Sequence, residues 1–156
     1  MPNTYTQLYI QIVFAVKGRQ NLVSEEIREK VEKYICGIVS KNKAKPLAIY
    51  CNPDHLHLFI GLNPAVSISD LVRDIKANSS RWINEHQWIS KQFRWQNGYG
   101  AFSYSKSAID NVVKYIHNQP NHHRKKSFKD EYISLLKTYE INFDERYLFE
   151  WYTEEK

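Results

Sequence analysis

Cysteine is almost missing from the chain. Cys36 and Cys51 stand 15 positions apart, too few for a disulfide-stapled scaffold and wrongly spaced for a CxxC redox pair or a four-thiolate zinc site. Glycine is as scarce, and its five copies form neither GxxxxGK[ST] nor GxGxxG, so the usual phosphate-cradling loops are absent and no nucleotide cofactor is expected. No apolar run approaches the roughly 18 residues that a bilayer span requires. The stretch Met1-Pro2-Asn3-Thr4-Tyr5 also lacks the basic-then-apolar order of a secretory leader. A cytoplasmic protein with no membrane partner is the expectation. Repeats, low-complexity tracts and Pro/Gly/Ser-rich linkers are missing too, and 156 residues with 42% hydrophobic side chains suffice for one core, so residues 1–156 are read as a single domain.

Negative charge is scarce in most of the chain. Through residue 129 there are 19 Lys and Arg against 9 Asp and Glu, whereas from residue 130 onward the count is 3 against 8. A basic body with an acidic tail concentrates polyanions, and 4 Trp, 11 Tyr and 7 Phe supply faces for unstacked bases. Nucleic acid is the leading partner class. The same charge also serves simply to solvate a surface, so particular residues must decide.

The periodicities are legible. Leu8, Ile10, Ile12 and Phe14 alternate with polar or smaller neighbours from Gln7 to Ala15, the period of a half-buried strand. Ser24 before Glu25 and Glu26 starts a helix over about 25–41, with Ile27, Val31, Tyr34, Ile35 and Ile38 at helical spacing. Residues 47–51 and 55–62 flank the turn Asn52-Pro53-Asp54 as a hairpin, a second helix starts near Ser69, and 93–105 is extended with a turn at Asn97-Gly98. The order β-α-β-β-α-β predicts an α+β, ferredoxin-like antiparallel sheet with two helices on one face. A third helix begins at Ser107, with Asp110 completing a capping box, and ends or bends at Pro120; a further helix covers about 128–139.

Two places carry chemistry. In the strand from His55 to Leu62, the residues Leu56, Leu58, Ile60 and Leu62 share one face, leaving His55, His57 and Phe59 on the other. The two histidine Cα atoms then lie about 6.6 Å apart, within reach of one ion. Histidines on an open sheet face are also often solvated or hydrogen-bonded, so the pair alone leaves the metal open. On the third helix Tyr115 and Gln119 lie one turn apart beside the stripe of Ile109, Val112, Val113 and Ile116. Asn111, Lys114, Asn118, His122 and His123 make that end polar, although any one of 11 tyrosines can equally be a packing residue.

Pro53-Asp54-His55-Leu56-His57-Leu58-Phe59, followed by Tyr115-Ile116-His117-Asn118-Gln119 in a chain of this length, resembles the single-tyrosine transposases of the insertion sequence 200/605 group, which are His-hydrophobic-His (HUH) nucleases. The segments 74–80, 93–102 and 115–123 are similar in the same order. The resemblance implies a metal-dependent single-stranded DNA endonuclease and strand transferase. His55, His57 and Gln119 would hold Mg²⁺ or Mn²⁺, and Tyr115 would form a 5′-phosphotyrosine. It further implies a homodimer and recognition of a DNA hairpin. Lys17, Arg19, Lys76, Arg81, Arg94, Lys114, Arg124, Lys125 and Lys126 are candidate phosphate contacts, with Trp95 and Tyr99 as base-stacking candidates. Pro120 places Gln119 at an expected frayed helix end. Alternatives are a domesticated relative of the repetitive-extragenic-palindrome-associated type, a non-catalytic single-strand-binding module, and a histidine-triad phosphohydrolase, whose further histidine would have to stand where Phe59 is.

Overall fold

The structure is a computed structural model that describes residues 3–19, 21–122 and 126–149. Strands β1 (Tyr9–Ala15), β2 (Lys45–Cys51), β3 (His55–Gly61) and β4 (Gly100–Tyr104) form one sheet in the order β2-β3-β1-β4. Every pairing is antiparallel, with Ala15 opposite His55 and Val13 opposite His57. Helices α1 (Glu25–Lys41) and α2 (Ile68–His86) fill the two crossovers. This is the ferredoxin-like α+β arrangement expected from the element order.

Alternation divides the sheet into two faces. Ile10, Ile12 and Phe14 of β1 and Leu56, Leu58 and Ile60 of β3 belong to the main core, which also takes in Val31 and Ile35 of α1 and Leu71 and Ile75 of α2. Each such buried side chain contributes about 1.5–3 kcal/mol of hydrophobic stabilisation. Helix α2 begins slightly earlier than the sequence suggests, because Ser67 rather than Ser69 is the cap: its Oγ accepts from the Asp70 amide at 3.1 Å.

The second face is covered as well. Helix α3 (Ile109–His117) sets Val112 and Ile116 against Ala48 and Phe59, so the stripe expected from its spacing is real. Its expected capping box is not. A single 3₁₀ turn over Lys106–Ala108 precedes it, Ser107 Oγ lies 2.8 Å from Ser105 Oγ, and α3 begins with no side-chain cap. Pro120 does interrupt the helix: α3 ends at His117 with Asn118 as its C-cap, and the short α4 (Gln119–His122) follows, with the proline in its first turn, where no amide donor is needed. Helix α5 (Phe128–Thr138), capped by Ser127 Oγ on the Asp130 amide at 3.2 Å, buries Phe128, Glu131, Tyr132 and Leu136.

The histidine face is therefore not an open sheet surface, as the sequence suggested. His55 and His57 are 1% and 0% exposed. The Phe128 ring lies flat on His55 at 3.8 Å between centroids, which is how α5 closes that end of the sheet. No helix among the described residues is long and apolar enough to cross a membrane.

Candidate metal centre and tyrosine site

The hairpin turn supplies the first partners of the histidines. Asp54 precedes His55 and takes the hydrogen of its Nδ1 at 2.7 Å, which makes Nε2 the acceptor nitrogen of the ring. A carboxylate behind an imidazole orients the ring and raises the basicity of the other nitrogen. Burial pushes the His55 pKa down to about 4 despite Asp54, so the ring is neutral near neutral pH. Its Nε2 accepts a hydrogen from Asn52 Nδ2 at 3.1 Å, and the same amide group donates to Gln119 Oε1, also at 3.1 Å.

Glu131 stands at the centre. Its Oε1 accepts from His57 Nε2 at 2.9 Å and lies 3.7 Å from His55 Nε2. Its Oε2 accepts from Gln119 Nε2 at 3.3 Å and from the hydroxyl of Tyr115. The carboxylate is 2% exposed and Gln119 is 0% exposed. On the far side of His57, Nδ1 accepts from Gln11 Nε2 at 3.0 Å, and Gln11 Oε1 in turn accepts from the Tyr104 hydroxyl at 2.7 Å.

The ligand-capable atoms of His55, His57 and Glu131 all lie within 4.8 Å of one another. The chemistry of this set suits a cation. Two imidazoles and a carboxylate converge, and the lone pairs of His55 Nε2 and Gln119 Oε1 already point at one group of positive polarity, the Asn52 amide hydrogens. His55 also has its second nitrogen committed to a carboxylate, as metal-bound histidines usually do.

Tyr115 projects from α3 into this cluster, with its ring edge-on to His57 at 5.8 Å. Burial first, and then the Glu131 charge, raise its pKa well above the usual phenol value, so the hydroxyl keeps its proton here. One side remains accessible through an open cleft of about 530 Å³ lined by Asn111, Lys114, Tyr115, His117 and Asn118.

Thus the structure brings His55, His57, Tyr115 and Gln119 into one pocket. The expected fray at Gln119 is absent, because Asn52 and Glu131 hold its amide from both sides. Sequence reading missed Glu131 altogether, along with Asn52 and Gln11. Asp54 and Gln11 could have been found: one abuts His55, and the other sits on the histidine side of the first strand. Glu131 carried no signal beyond belonging to an acidic helix start.

The basic candidates separate. Lys17, Lys76, Arg94 and Tyr99, joined by Arg73 and Arg146, line a cleft of about 910 Å³. The cleft opens at the sheet end where β1 pairs with His55. Lys76 Nζ donates to the carbonyls of Gln96 and Gly98 at 2.7 and 2.6 Å, and burial lowers its pKa to about 8. Arg81 lies exposed on α2 and Lys114 beside Tyr115. Trp95 is not available for stacking: it is 7% exposed, edge-on to Phe14 and Phe93 at 4.8 and 4.9 Å, and its Nε1 donates to Ser79 Oγ. The Arg19 side chain and residues Arg124 and Lys125 fall outside what the structure describes.

The ferredoxin-like sheet gathers a His-Leu-His pair, a tyrosine and an acid in one pocket, and the proteins that this chain is similar to are transposases. The family model described as "Transposase IS200 like" covers residues 4–119, and the chain belongs to that family. It is similar to the ISDra2 transposase TnpA of Deinococcus radiodurans, 24% identical over 120 residues that make up 72% of this chain and 84% of that protein. Among solved structures, a protein of D. radiodurans R1 solved as a candidate transposase shares 23% identity and a TM-score of 0.60, over 75% of this chain and 94% of that one. A REP-associated tyrosine transposase bound to a REP hairpin shares 16% identity and a TM-score of 0.57, over 78% and 72%.

Proposed function

We propose that this transposase is a metal-dependent endonuclease and strand transferase for single-stranded DNA, working through a 5′-phosphotyrosine on Tyr115. One observation carries the reading: the Tyr115 hydroxyl and the ligand-capable atoms of His55 and His57 meet around the same Glu131 carboxylate. His55, His57 and Glu131, with Gln119 beside them, are the residues that would hold Mg²⁺ or Mn²⁺. The bound ion would polarise the scissile phosphate and neutralise charge building on its oxygens.

The chain's own groups do the rest. Glu131 holds the Tyr115 hydroxyl in the pocket, and the phenolic proton leaves along that hydrogen bond as the tyrosine oxygen attacks phosphorus. The new oxygen–phosphorus bond forms while the bond to the 3′ oxygen breaks, and the 3′ oxygen takes up a proton and departs as a hydroxyl. Because the phosphodiester energy is kept in the phosphotyrosine, a second 3′ hydroxyl can reverse the step and join a new end without ATP. Lys114 lies beside Tyr115 to meet the flanking phosphate. Lys17, Lys76 and Arg94 give the larger cleft the sign that a DNA backbone requires, and Arg81, Arg19, Arg124 and Lys125 are further backbone contacts in this reading.

Hairpin recognition belongs to the same proposal, supported by the neighbour solved on a REP hairpin. Tyr115 reaches His57 of its own chain, so a homodimer would join two self-sufficient sites. The test is cleavage of labelled single-stranded hairpin oligonucleotides from the flanks of the gene, with and without Mn²⁺. Metal-dependent nicking of single strands, with duplex DNA left intact, supports the reading. Tight hairpin binding without cleavage at any metal concentration would leave a binding module instead.

A further inference from the structure

His57 differs from His55 in one respect that bears on any ion. The hydrogen on His55 is committed to Asp54, which makes Nε2 the acceptor on the pocket side, where it takes a hydrogen from Asn52 Nδ2. In His57 the assignment is reversed: Gln11 Nε2 donates to Nδ1 at 3.0 Å, so the ring hydrogen sits on Nε2 and goes to Glu131 Oε1 at 2.9 Å. A nitrogen that carries a hydrogen cannot be a ligand. In this arrangement only one of the two histidines is ready.

Gln11 is built to change that. Its amide is 1% exposed and held from both ends, by His57 Nδ1 and by the Tyr104 hydroxyl at 2.7 Å. An imidazole nitrogen and a phenol can each either donate or accept, whereas the two ends of an amide cannot exchange roles without turning over. If the amide turns, Oε1 accepts from Nδ1–H of His57 and Nε2 donates to the Tyr104 oxygen. The Tyr104 hydrogen then has an acceptor in Tyr139, already its hydrogen-bond partner and 38% exposed at the C-cap of α5. The turned arrangement leaves no buried group unpaired on the Gln11 side, and it frees His57 Nε2 and Glu131 Oε1 together.

We propose that Gln11 is a positioning residue whose side-chain amide, braced by Tyr104, sets which nitrogen of His57 carries the hydrogen and so switches the site between an acid-latched and a metal-ready form. The inference rests on the reading of the His55, His57 and Glu131 cluster as a metal centre, but its first arm needs no metal. One amide and one hydroxyl rotor turn, while His57 gives up its Nε2 hydrogen to solvent by way of Glu131 and takes one up from solvent at Nδ1, so that the ring's proton count is unchanged. On the Gln11 side each hydrogen bond is exchanged for another of the same kind, and the His57 Nε2–Glu131 bond given up in the turn is replaced by the ion that the two atoms would share.

The test is ¹⁵N NMR of the histidine rings in the full-length protein, first metal-free and then with saturating Mg²⁺, alongside Mn²⁺ affinity by calorimetry. Metal-free wild type should carry the His57 hydrogen on Nε2, and Gln11→Glu, which can only accept, should place a hydrogen on Nδ1 without any metal. With Mg²⁺ the wild-type hydrogen should move to Nδ1. Gln11→Met, which keeps the volume but offers Nδ1 no partner, should weaken Mn²⁺ binding by about 10–100-fold, the usual loss on removing an outer partner of a ligand histidine. A hydrogen on Nδ1 in metal-free wild type overturns the proposal, as does unchanged tautomer and affinity in both variants. Should Gln11→Glu fail to fold, the wild-type comparison decides alone. Absence of Mn²⁺ binding in every form, with the metal-free tautomers as expected, would remove the metal reading and leave Gln11's control of His57 standing.

Discussion

The Tyr115 hydroxyl donates to Glu131, a carboxylate that lies 16 residues further along the chain on a different helix and that also accepts from His57. One acidic side chain thus links the nucleophile candidate to the histidine pair. It ties α5 to both α3 and the sheet, and it puts a negative charge beside the group whose ionisation the proposed chemistry requires.

Removing the acid should act on metal and fold at once. In Glu131→Ala the hydrogens of His57 Nε2, Gln119 Nε2 and Tyr115 lose a buried acceptor, a loss of about 1–3 kcal/mol for each group left unsatisfied. Urea unfolding of metal-free protein should show a clearly lowered midpoint, and Mn²⁺ titration a weakening of at least about tenfold. Unchanged metal affinity would take Glu131 out of the ligand set.

Gly100 reports on the docking of α5 from a distance. A Cβ there would stand 2.8 Å from the Tyr132 hydroxyl, 2.9 Å from its ring and 3.1 Å from the Phe102 ring. Tyr132 follows Glu131 directly on α5 and is 5% exposed, so the strain has no free outlet. Gly100→Ala should cost about 1–3 kcal/mol and weaken Mn²⁺ binding although no ligand is touched. Full stability with wild-type metal affinity would mean that α5 is not held against β4 as described.

His55, His57, Glu131, Gln119 and Tyr115 meet within one chain, and complementation tests whether they work together there. Mixing His57→Ala with Tyr115→Phe should not restore DNA cleavage, because neither protein then holds both an intact histidine pair and the tyrosine. Recovery toward about a quarter of wild-type activity, the share of working sites in a randomly paired mixture, would show that Tyr115 serves a neighbouring copy instead.

Lys76 gives a pH signature on the alkaline side. Burial lowers its folded pKa to about 8 from 10.5, so between those values the unfolded chain binds a proton that the folded chain does not. Stability therefore rises with pH across that window, and the contribution is lost as pH falls through about 8. Tyr132, raised by burial to about 12 from 10.0, works oppositely above pH 10, because there the unfolded chain loses its proton first. Wild-type unfolding free energy should climb from about pH 8 to 9, level off as the Cys51 thiol, pushed up from 9.0 by burial, begins to act in the opposite sense, and decline above about pH 10. Lys76→Met should flatten the climb and leave the decline; equal slopes in both proteins would contradict the burial of the ammonium.

The sheet and its two crossover helices were legible because alternation at Ile10, Ile12, Phe14 and at Leu56, Leu58, Ile60 is a local property that names its own buried face. The histidine pair and the Tyr115 to Gln119 spacing were legible for the same reason. Burial of the histidines was not, since it depends on α5 docking across the sheet and on Phe128 meeting His55 from 73 positions away in the chain. Glu131 was hidden in a helix-start pattern where acids are expected for their effect on the dipole. The capping box at Ser107 misled because a 3₁₀ turn intervened and Ser107 paired with Ser105 instead.

The most direct test of the whole account is mass spectrometry of the protein after incubation with Mn²⁺ and a single-stranded hairpin oligonucleotide from beside its gene. A DNA-linked tryptic peptide with the phosphate on Tyr115, dependent on metal and absent from Tyr115→Phe, is the predicted result. Cleaved DNA with no covalent intermediate, or a link formed equally well by Tyr115→Phe, would contradict it.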